Sequence, residues 1–263
     1  AQKVKFVPLT AKERFTALQS GEIDMLSRNT TWTITRDASL GLNFAGVNYY
    51  DGQGFMVKSS LGVSSAMELS GAAVCIQAGT TTELNLADWG KANGIEYNSV
   101  VSDTNAQTLT NYDAGRCDVL TTDASGLYSM RAAASDPSEH VVLPEIISKE
   151  PLGPVVRQGD DQWFNIVRWS LNAMITAEEL GVTSATVDDV SNNPERERLM
   201  GRSGSTHEYV GLTPDWTYQI VKQVGNYSES FERNIGINTP IGIARGVNAL
   251  WTDGGILYSP PFR

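Results

Sequence analysis

The sequence predicts an α/β protein of two lobes, and two observations carry that prediction. Apolar runs of strand length alternate with amphipathic helical stretches from residue 3 onward, and the alternation starts afresh at AVCIQ, residues 73–77, after a short polar passage. A pattern that stops and restarts suggests two lobes rather than one sheet. A chain of 263 residues can bury one large core or two modest ones.

Taken in order, KVKFVPL from Lys3 to Leu9 predicts a strand, followed by a helix from Thr10. Thr10 suits an N-cap with Glu13 at capping-box spacing; Ala11, Phe15 and Leu18 make one apolar face, and Gly21 ends the helix. Ile23, Met25 and Leu26 then form a short apolar run suited to a buried parallel strand, completing a right-handed strand–helix–strand unit. LNFAGVNYYDGQGFMV, ending near Lys58, is β-rich, and Ser59 to Ser70 is short, polar and helical at best. In the second pattern AVCIQ, EYNSVVS and CDVLTTD are strands, with GTTTELNLADWGKANG and NAQTLTNYDAGR as helices between them. HVVLPEIISKEPLGPVVRQGD carries two β-type runs around Pro151-Leu152-Gly153, which cross back to the first lobe. Trp163, Ile166, Val167, Leu171, Met174 and Ile175 share a helical face, predicting a long helix from Asp161 to Leu180. The tail from Ser191 is polar, with a second helix near Trp216 to Val224 and Gly/Pro-rich turns at the end. The expected lobes are residues 1–57 plus 153–263, and residues 58–152.

Composition narrows the function. Hydrophobic residues make up 41% and charged residues 19%, ordinary for a globular protein. No apolar run approaches the ~18 residues of a membrane span. A formal charge of −10 without a Lys/Arg cluster argues against nucleic acid as a partner. His140 and His207 lie far apart among polar residues, and Cys75 and Cys117 have no metal-ligand spacing, so neither a metal site nor a cysteine–histidine nucleophile is indicated. No motif asks for a cofactor. The chain begins Ala-Gln-Lys without a charged-then-apolar leader, so any export signal is expected to have been removed or never to have been present.

The polar residues that follow the predicted strands outline a site. In open α/β sheets ligands sit beyond the carboxyl ends of the strands. Ser27, Asn29, Thr30 and Thr31 would stand there with hydroxyl and amide donors, and Arg36 adds a planar fork that matches a carboxylate. The alternative is a Ser/Thr-rich surface turn with a solvated arginine. QAGTTTE leaves a strand through Gly79 and enters a helix with Thr80 and Glu83 at capping-box spacing. Its free N–H groups and the hydroxyls of Thr80, Thr81 and Thr82 make either an anion-binding concavity or a plain helix cap. Asp123 ends CDVLTTD as an N-cap for the segment from Ala124 or as a counter-charge for a ligand ammonium. Together Arg36, Thr81 and Asp123 form a clamp for a zwitterion. If AVCIQ and CDVLTTD are adjacent parallel strands, Cys75 and Cys117 fall at matching heights, and a disulfide is geometrically reasonable; two buried free thiols are the alternative.

These motifs, in this order, resemble the periplasmic solute-binding proteins of polar amino-acid ABC transporters, in particular the general L-amino-acid-binding subgroup. The resemblance runs the whole chain and includes FTALQSGEIDMLSRNTTWT, NYYDGQGFMV, QAGTTTELNLADW, DAGRCDVLTTD, LPEIISKEPLGPVVRQGDDQWF, KQVGNYSESFERN and NALWTDGG. It implies a two-lobed periplasmic-binding-protein type II fold that closes on one L-amino acid in the periplasm and delivers it to a membrane permease. Arg36 would bind the α-carboxylate, helped by Thr31 and the Thr80–Thr81 region. Asp123 would take the α-ammonium, with Asn29 at the same cleft, and Arg14 and Arg28 lie where members preferring acidic or amide side chains place cationic groups.

One departure sets a further expectation. Members normally begin with about sixty further residues, a first strand, a covering loop and a first helix, and the loss of that strand would leave two strand edges unpaired. On that comparison Lys3 to Leu9 corresponds to the family's second strand, which reads as a truncation of lobe 1 rather than a circular permutation. A homo-oligomer that exchanges or joins elements of lobe 1 is the expected remedy, and binding could be reduced, altered or gone. The competing function is then a truncated, oligomeric relative with a structural or interaction role. An enzyme is disfavoured, although the fold also hosts periplasmic dehydratases acting on cyclic acids: no histidine lies in the cleft motifs, and Glu83 and Asp123 have capping or ammonium-binding roles.

Overall fold

The computed structural model describes residues 3–263. Among these residues the strands are β1 (Leu42–Phe44), β2 (Tyr49–Asp51), β3 (Gln53–Lys58), β4 (Ala73–Gln77), β5 (Asn98–Ser102), β6 (Val119–Asp123), β7 (His140–Val142), β8 (Glu150–Leu152) and β9 (Val155–Arg157). The α-helices are α1 (Arg14–Ser20), α2 (Thr81–Asn93), α3 (Asn105–Asp113), α4 (Ala124–Ala133), α5 (Asp161–Glu179), α6 (Pro194–Leu199), α7 (Thr206–Val210), α8 (Trp216–Val224) and α9 (Tyr227–Asn234).

The chain divides into two compact units. The first comprises residues up to Leu42 with Tyr49–Gly153, the second Asn43–Asn48 with Pro154–Arg263. This grouping differs from the lobes expected from sequence, which place residues 1–57 with residues 153–263. In the structure the segment around Thr31 is held by the end of the first unit: Thr31 bridges Leu152, Trp32 N–H donates to Pro151 O at 2.8 Å, and Gly153 N–H donates to Thr30 O at 3.1 Å.

The first unit is built on a five-stranded sheet in the order β5-β4-β6-β3-β7. β4 runs parallel to both β5 and β6, while β3 is antiparallel to β6 and β7. The inner strands β3 and β4 are buried on both faces, which explains why FMV and AVCI read as continuous apolar runs. Successive side chains alternate between the faces. Phe55, Val57, Ile76 and Val119 pack on one side with Leu86 and Trp89 of α2, and Met56, Cys75 and Leu120 on the other with Tyr112 of α3 and Leu127 of α4. Cys75 and Cys117 form the disulfide, with Cα atoms 5.7 Å apart, beside the parallel register Cys75↔Leu120. β2 and β8 pair antiparallel, Tyr49↔Leu152 to Asp51↔Glu150, as a separate ribbon.

The second unit is helical apart from the pairing of β1 with β9. α5 is its spine, starting where Asp160 accepts a hydrogen bond from Trp163 N–H at 2.9 Å. Ala173 and Ala177 of α5 pack with Val182, Leu199, Met200, Val221 and Phe262. α9 starts on a capping box between Asn226 and Glu229. The sequence reading anticipated α5 and α8; α6, α7 and α9 went unread because they are short and most of their residues are polar. No helix among the described residues is long and apolar enough to cross a membrane.

Two expected strands do not form. Residues 3–9 adopt no regular element, and at 23–26 only Leu26 makes an isolated bridge, with Met25 exposed. The helix between them does form. Thr10 N–H donates to Glu13 Oε2 at 3.1 Å and Glu13 N–H to Thr10 Oγ1 at 3.3 Å, the reciprocal pair that spacing predicts. Gly21 closes α1 at φ 82°, where a β-carbon would be strained.

Candidate functional site

The strands of the first unit bring their polar ends together. β4 ends at Gln77 and turns through Gly79 (φ 73°) into α2, while the parallel neighbour β6 ends at Asp123 and enters α4. A β-carbon on Gly79 would also lie 2.8 Å from Lys12 Cγ, so both the turn and the close approach of the α1 segment require glycine. Arg14, Arg28, Asn29, Thr31, Thr80 and Asp123, together with Thr81 and Gln77, line a cleft.

Asp123 is the acidic side of this cleft. It is buried, and although it precedes α4 its side chain makes no capping bond. Instead Oδ2 accepts from Asn29 Nδ2 at 2.9 Å. Burial pushes its pKa up to about 7, against the bond from Asn29 and with the added repulsion of Asp51 and Glu150. Asp51 is raised as well, mainly by burial.

The basic side is formed by arginines. Arg14 is buried; Nη1 donates to Asn29 O at 3.0 Å and Thr30 Oγ1 at 3.2 Å, and its buried Nε has no hydrogen-bond partner. Its pKa falls to about 10, chiefly through burial and then through Arg36 and Arg28. Arg36 sits in a π-helical turn, Thr35–Ser39, and stacks on Phe15 at 4.9 Å while Arg14 stacks on the same ring at 5.1 Å. Burial lowers Arg36 too, offset by Glu150 and Asp123. Crowded, desolvated guanidinium groups are relieved by an anion.

The structure therefore brings Arg14, Arg28, Asn29, Thr31, Thr80, Thr81 and Asp123 to one cleft. Arg36 is not among the lining side chains: its Nη1 donates to Thr31 O at 2.9 Å. Arg28 is exposed and donates to Leu9 O at 3.3 Å. The expected Thr80–Glu83 capping box is absent. Thr80 Oγ1 donates to Gln77 O at 2.7 Å and contacts Thr82 Oγ1, while Glu83 accepts from Gly79 N–H at 2.7 Å. The first turn of α2 thus lacks a side-chain cap at Thr80.

Sequence reasoning missed Glu150. It lies 27 residues beyond Asp123 in the sequence, in the run read as a plain crossing strand, and no spacing rule ties it to the cleft. It is 1% exposed, accepts hydrogen bonds from both Thr31 and Thr81, and contributes to the field at Arg36 and Asp123.

The cleft thus holds the Asp123 carboxylate together with the guanidinium groups of Arg14 and Arg28, at the strand ends of an α/β sheet. The model of the bacterial extracellular solute-binding proteins, family 3, matches residues 1–186, and the chain belongs to that family. It is 62% identical over 265 residues to the general L-amino acid-binding periplasmic protein AapJ of Rhizobium johnstonii, covering 99% of this chain and 78% of AapJ. It is 56% identical to the glutamate/glutamine/aspartate/asparagine-binding protein BztA of Rhodobacter capsulatus, covering 99% of this chain and 78% of BztA. Among solved structures, an ABC transporter periplasmic binding protein from Brucella ovis with glutathione bound superposes with a TM-score of 0.97 at 57% identity, over 99% of this chain and 83% of that one. The fold is the periplasmic-binding-protein type II fold.

Proposed function

We propose that the protein is a periplasmic binding component of an ABC uptake system, without enzymatic activity, that holds one L-amino acid in the cleft and passes it to a membrane permease. The observation that carries this reading is the buried, uncapped Asp123 carboxylate in one cleft with the Arg14 and Arg28 side chains. Asp123, with Asn29, takes the α-ammonium. The N–H groups of the first turn of α2 at Thr80–Thr81, backed by Arg36 from behind the lining, hold the α-carboxylate, the Thr31 hydroxyl serves the ammonium with Asp123, and Arg14 and Arg28 face the ligand side chain. Two cations there favour acidic or amide side chains, in keeping with the four amino acids in the name of the Rhodobacter relative. Glutathione fits the same logic, since its γ-glutamyl end is an amino acid with free α-ammonium and α-carboxylate groups. An adjoining hollow, which shares Arg28 and Gln77 with the cleft, would receive its remainder.

A micromolar complex needs about 8 kcal/mol, and each charge-assisted hydrogen bond nets ~1.5–3 kcal/mol, so about three to six such bonds suffice. The test is a thermal-shift screen of the twenty L-amino acids and glutathione, with Arg36→Ala as control. Glutamate, glutamine, aspartate or asparagine should raise the midpoint of the wild type and leave the control unmoved; no shift with any of them rejects the reading.

A second reading, a homo-oligomer that exchanges or joins elements of the first unit, is favoured by the exposure of Val4, Phe6 and Ile34, the last two more than 80% exposed. Light scattering decides it: a monomer at tens of micromolar removes the assembly.

A further inference from the structure

We infer that Glu150 is the positioning residue of this site: it fixes the side chains of Thr31 and Thr81 in the orientation that receives the ligand. This rests on the amino-acid-binding reading above and assigns a role to a residue outside the cleft lining.

Glu150 sits on β8 with its side chain turned into the first unit, 1% exposed. Four donors converge on it, two on each oxygen. Oε1 accepts from Asn85 Nδ2 at 2.6 Å and Ser148 Oγ at 2.8 Å. Oε2 accepts from Thr81 Oγ1 at 3.0 Å and from Thr31 Oγ1. A buried carboxylate can be held only by such a full set of donors. Thr31 belongs to the segment that carries Asn29 and Arg36, and Thr81 opens α2, 50 residues away in sequence; Glu150 brings their hydroxyl oxygens to 3.3 Å from each other.

The consequence follows from counting protons. A threonine hydroxyl has one proton and two lone pairs. With both protons directed at Oε2, Thr31 and Thr81 present lone pairs to the cleft, on the side shared with Asp123. They therefore reinforce ammonium recognition, and the protons needed by the ligand carboxylate come from the N–H groups of the first turn of α2 and from the arginines. A glutamine at 150 has the same shape, but its amide nitrogen would donate to a threonine oxygen and turn a hydroxyl proton into the cleft. Asn85 lines no part of the cleft, so it reaches the ligand only through Glu150.

The experiment titrates L-glutamine into the wild type, Glu150→Gln, Asn85→Ala and the pair Thr31→Val/Thr81→Val with and without Glu150→Gln, after unfolding midpoints confirm that each is folded. Glu150→Gln should weaken binding about tenfold and Asn85→Ala several-fold, whereas Glu150→Gln added to the threonine pair should change affinity less than about twofold, the non-additivity of a residue acting through its neighbours. Affinity unchanged by both Glu150→Gln and Asn85→Ala overturns the inference, as does a full additive loss in the threonine background. If Glu150→Gln does not fold, Asn85→Ala decides alone. A wild type that binds no amino acid instead rejects the amino-acid reading, and the role of Glu150 with it; loss in Arg36→Ala and Asp123→Asn with Glu150→Gln intact rejects only the role of Glu150.

Discussion

Replacing Asp123 by Asn should stabilise the unliganded protein at alkaline pH while destroying its ligand response. The carboxyl has an ordinary pKa of 3.8 when unfolded and about 7 when folded. A group raised on folding supports the fold through its protonated form, fully below pH 3.8, and that support is lost as pH rises through about 7. The gap, at 1.36 kcal/mol per unit of pH, corresponds to roughly 4 kcal/mol of penalty at pH 8.5 and almost none at pH 4. Asn at 123 carries no charge, but it leaves an amide N–H₂ with an incomplete set of acceptors, a cost of about 1–3 kcal/mol at every pH. The variant should therefore be more stable than the wild type by about 1–3 kcal/mol at pH 8.5 and less stable by a similar amount at pH 4. Urea unfolding at the two pH values measures both. In the wild type L-glutamine should raise the midpoint at pH 8.5, because its ammonium neutralises the charge, and affinity should fall about tenfold for each pH unit below 7. A variant less stable than the wild type at pH 8.5 would refute the reasoning, since Asp123 would then carry no desolvation penalty for a ligand to relieve.

Three further outcomes follow from the geometry. Reduction of the Cys75–Cys117 disulfide, which joins residues 42 apart, should cost about 4 kcal/mol by loop-closure entropy, read as a lowered unfolding midpoint in dithiothreitol. Gly79→Ala should destabilise by about 1–2 kcal/mol from its positive φ, with further loss from the clash with Lys12, and should weaken binding because the first turn of α2 shifts. Leu86→Ala, in the packed face between α2 and the sheet, should cost about 2–5 kcal/mol without changing which amino acids bind.

The cleft was legible where its residues lie at the ends of strands and helices that local pattern defines. AVCIQ and CDVLTTD became the parallel pair β4 and β6, which put Thr80, Thr81 and Asp123 at one edge; the register sets Cys75 opposite Leu120, and Cys117 reaches it from the segment before β6 with Cα atoms 5.7 Å apart. Arg14 was visible as a helical arginine, but its burial, and the sharing of the Phe15 ring with Arg36, depend on a segment fold that local pattern misread as two strands.

Sequence by itself determined the α/β alternation, the restart at residue 73, the capping box at Thr10 and the set of charged and hydroxyl residues available for a ligand, because periodicity, capping and turn chemistry act over a few neighbouring residues. Tertiary structure alone decided that residues 23–26 lack a strand ladder, that Asp123 gives its bond to Asn29 rather than to the helix it precedes, and that Glu150 gathers Thr31 and Thr81. Each of these turns on which distant group arrives at a buried polar atom, and a buried polar atom takes whatever partner the assembled fold places within about 3 Å.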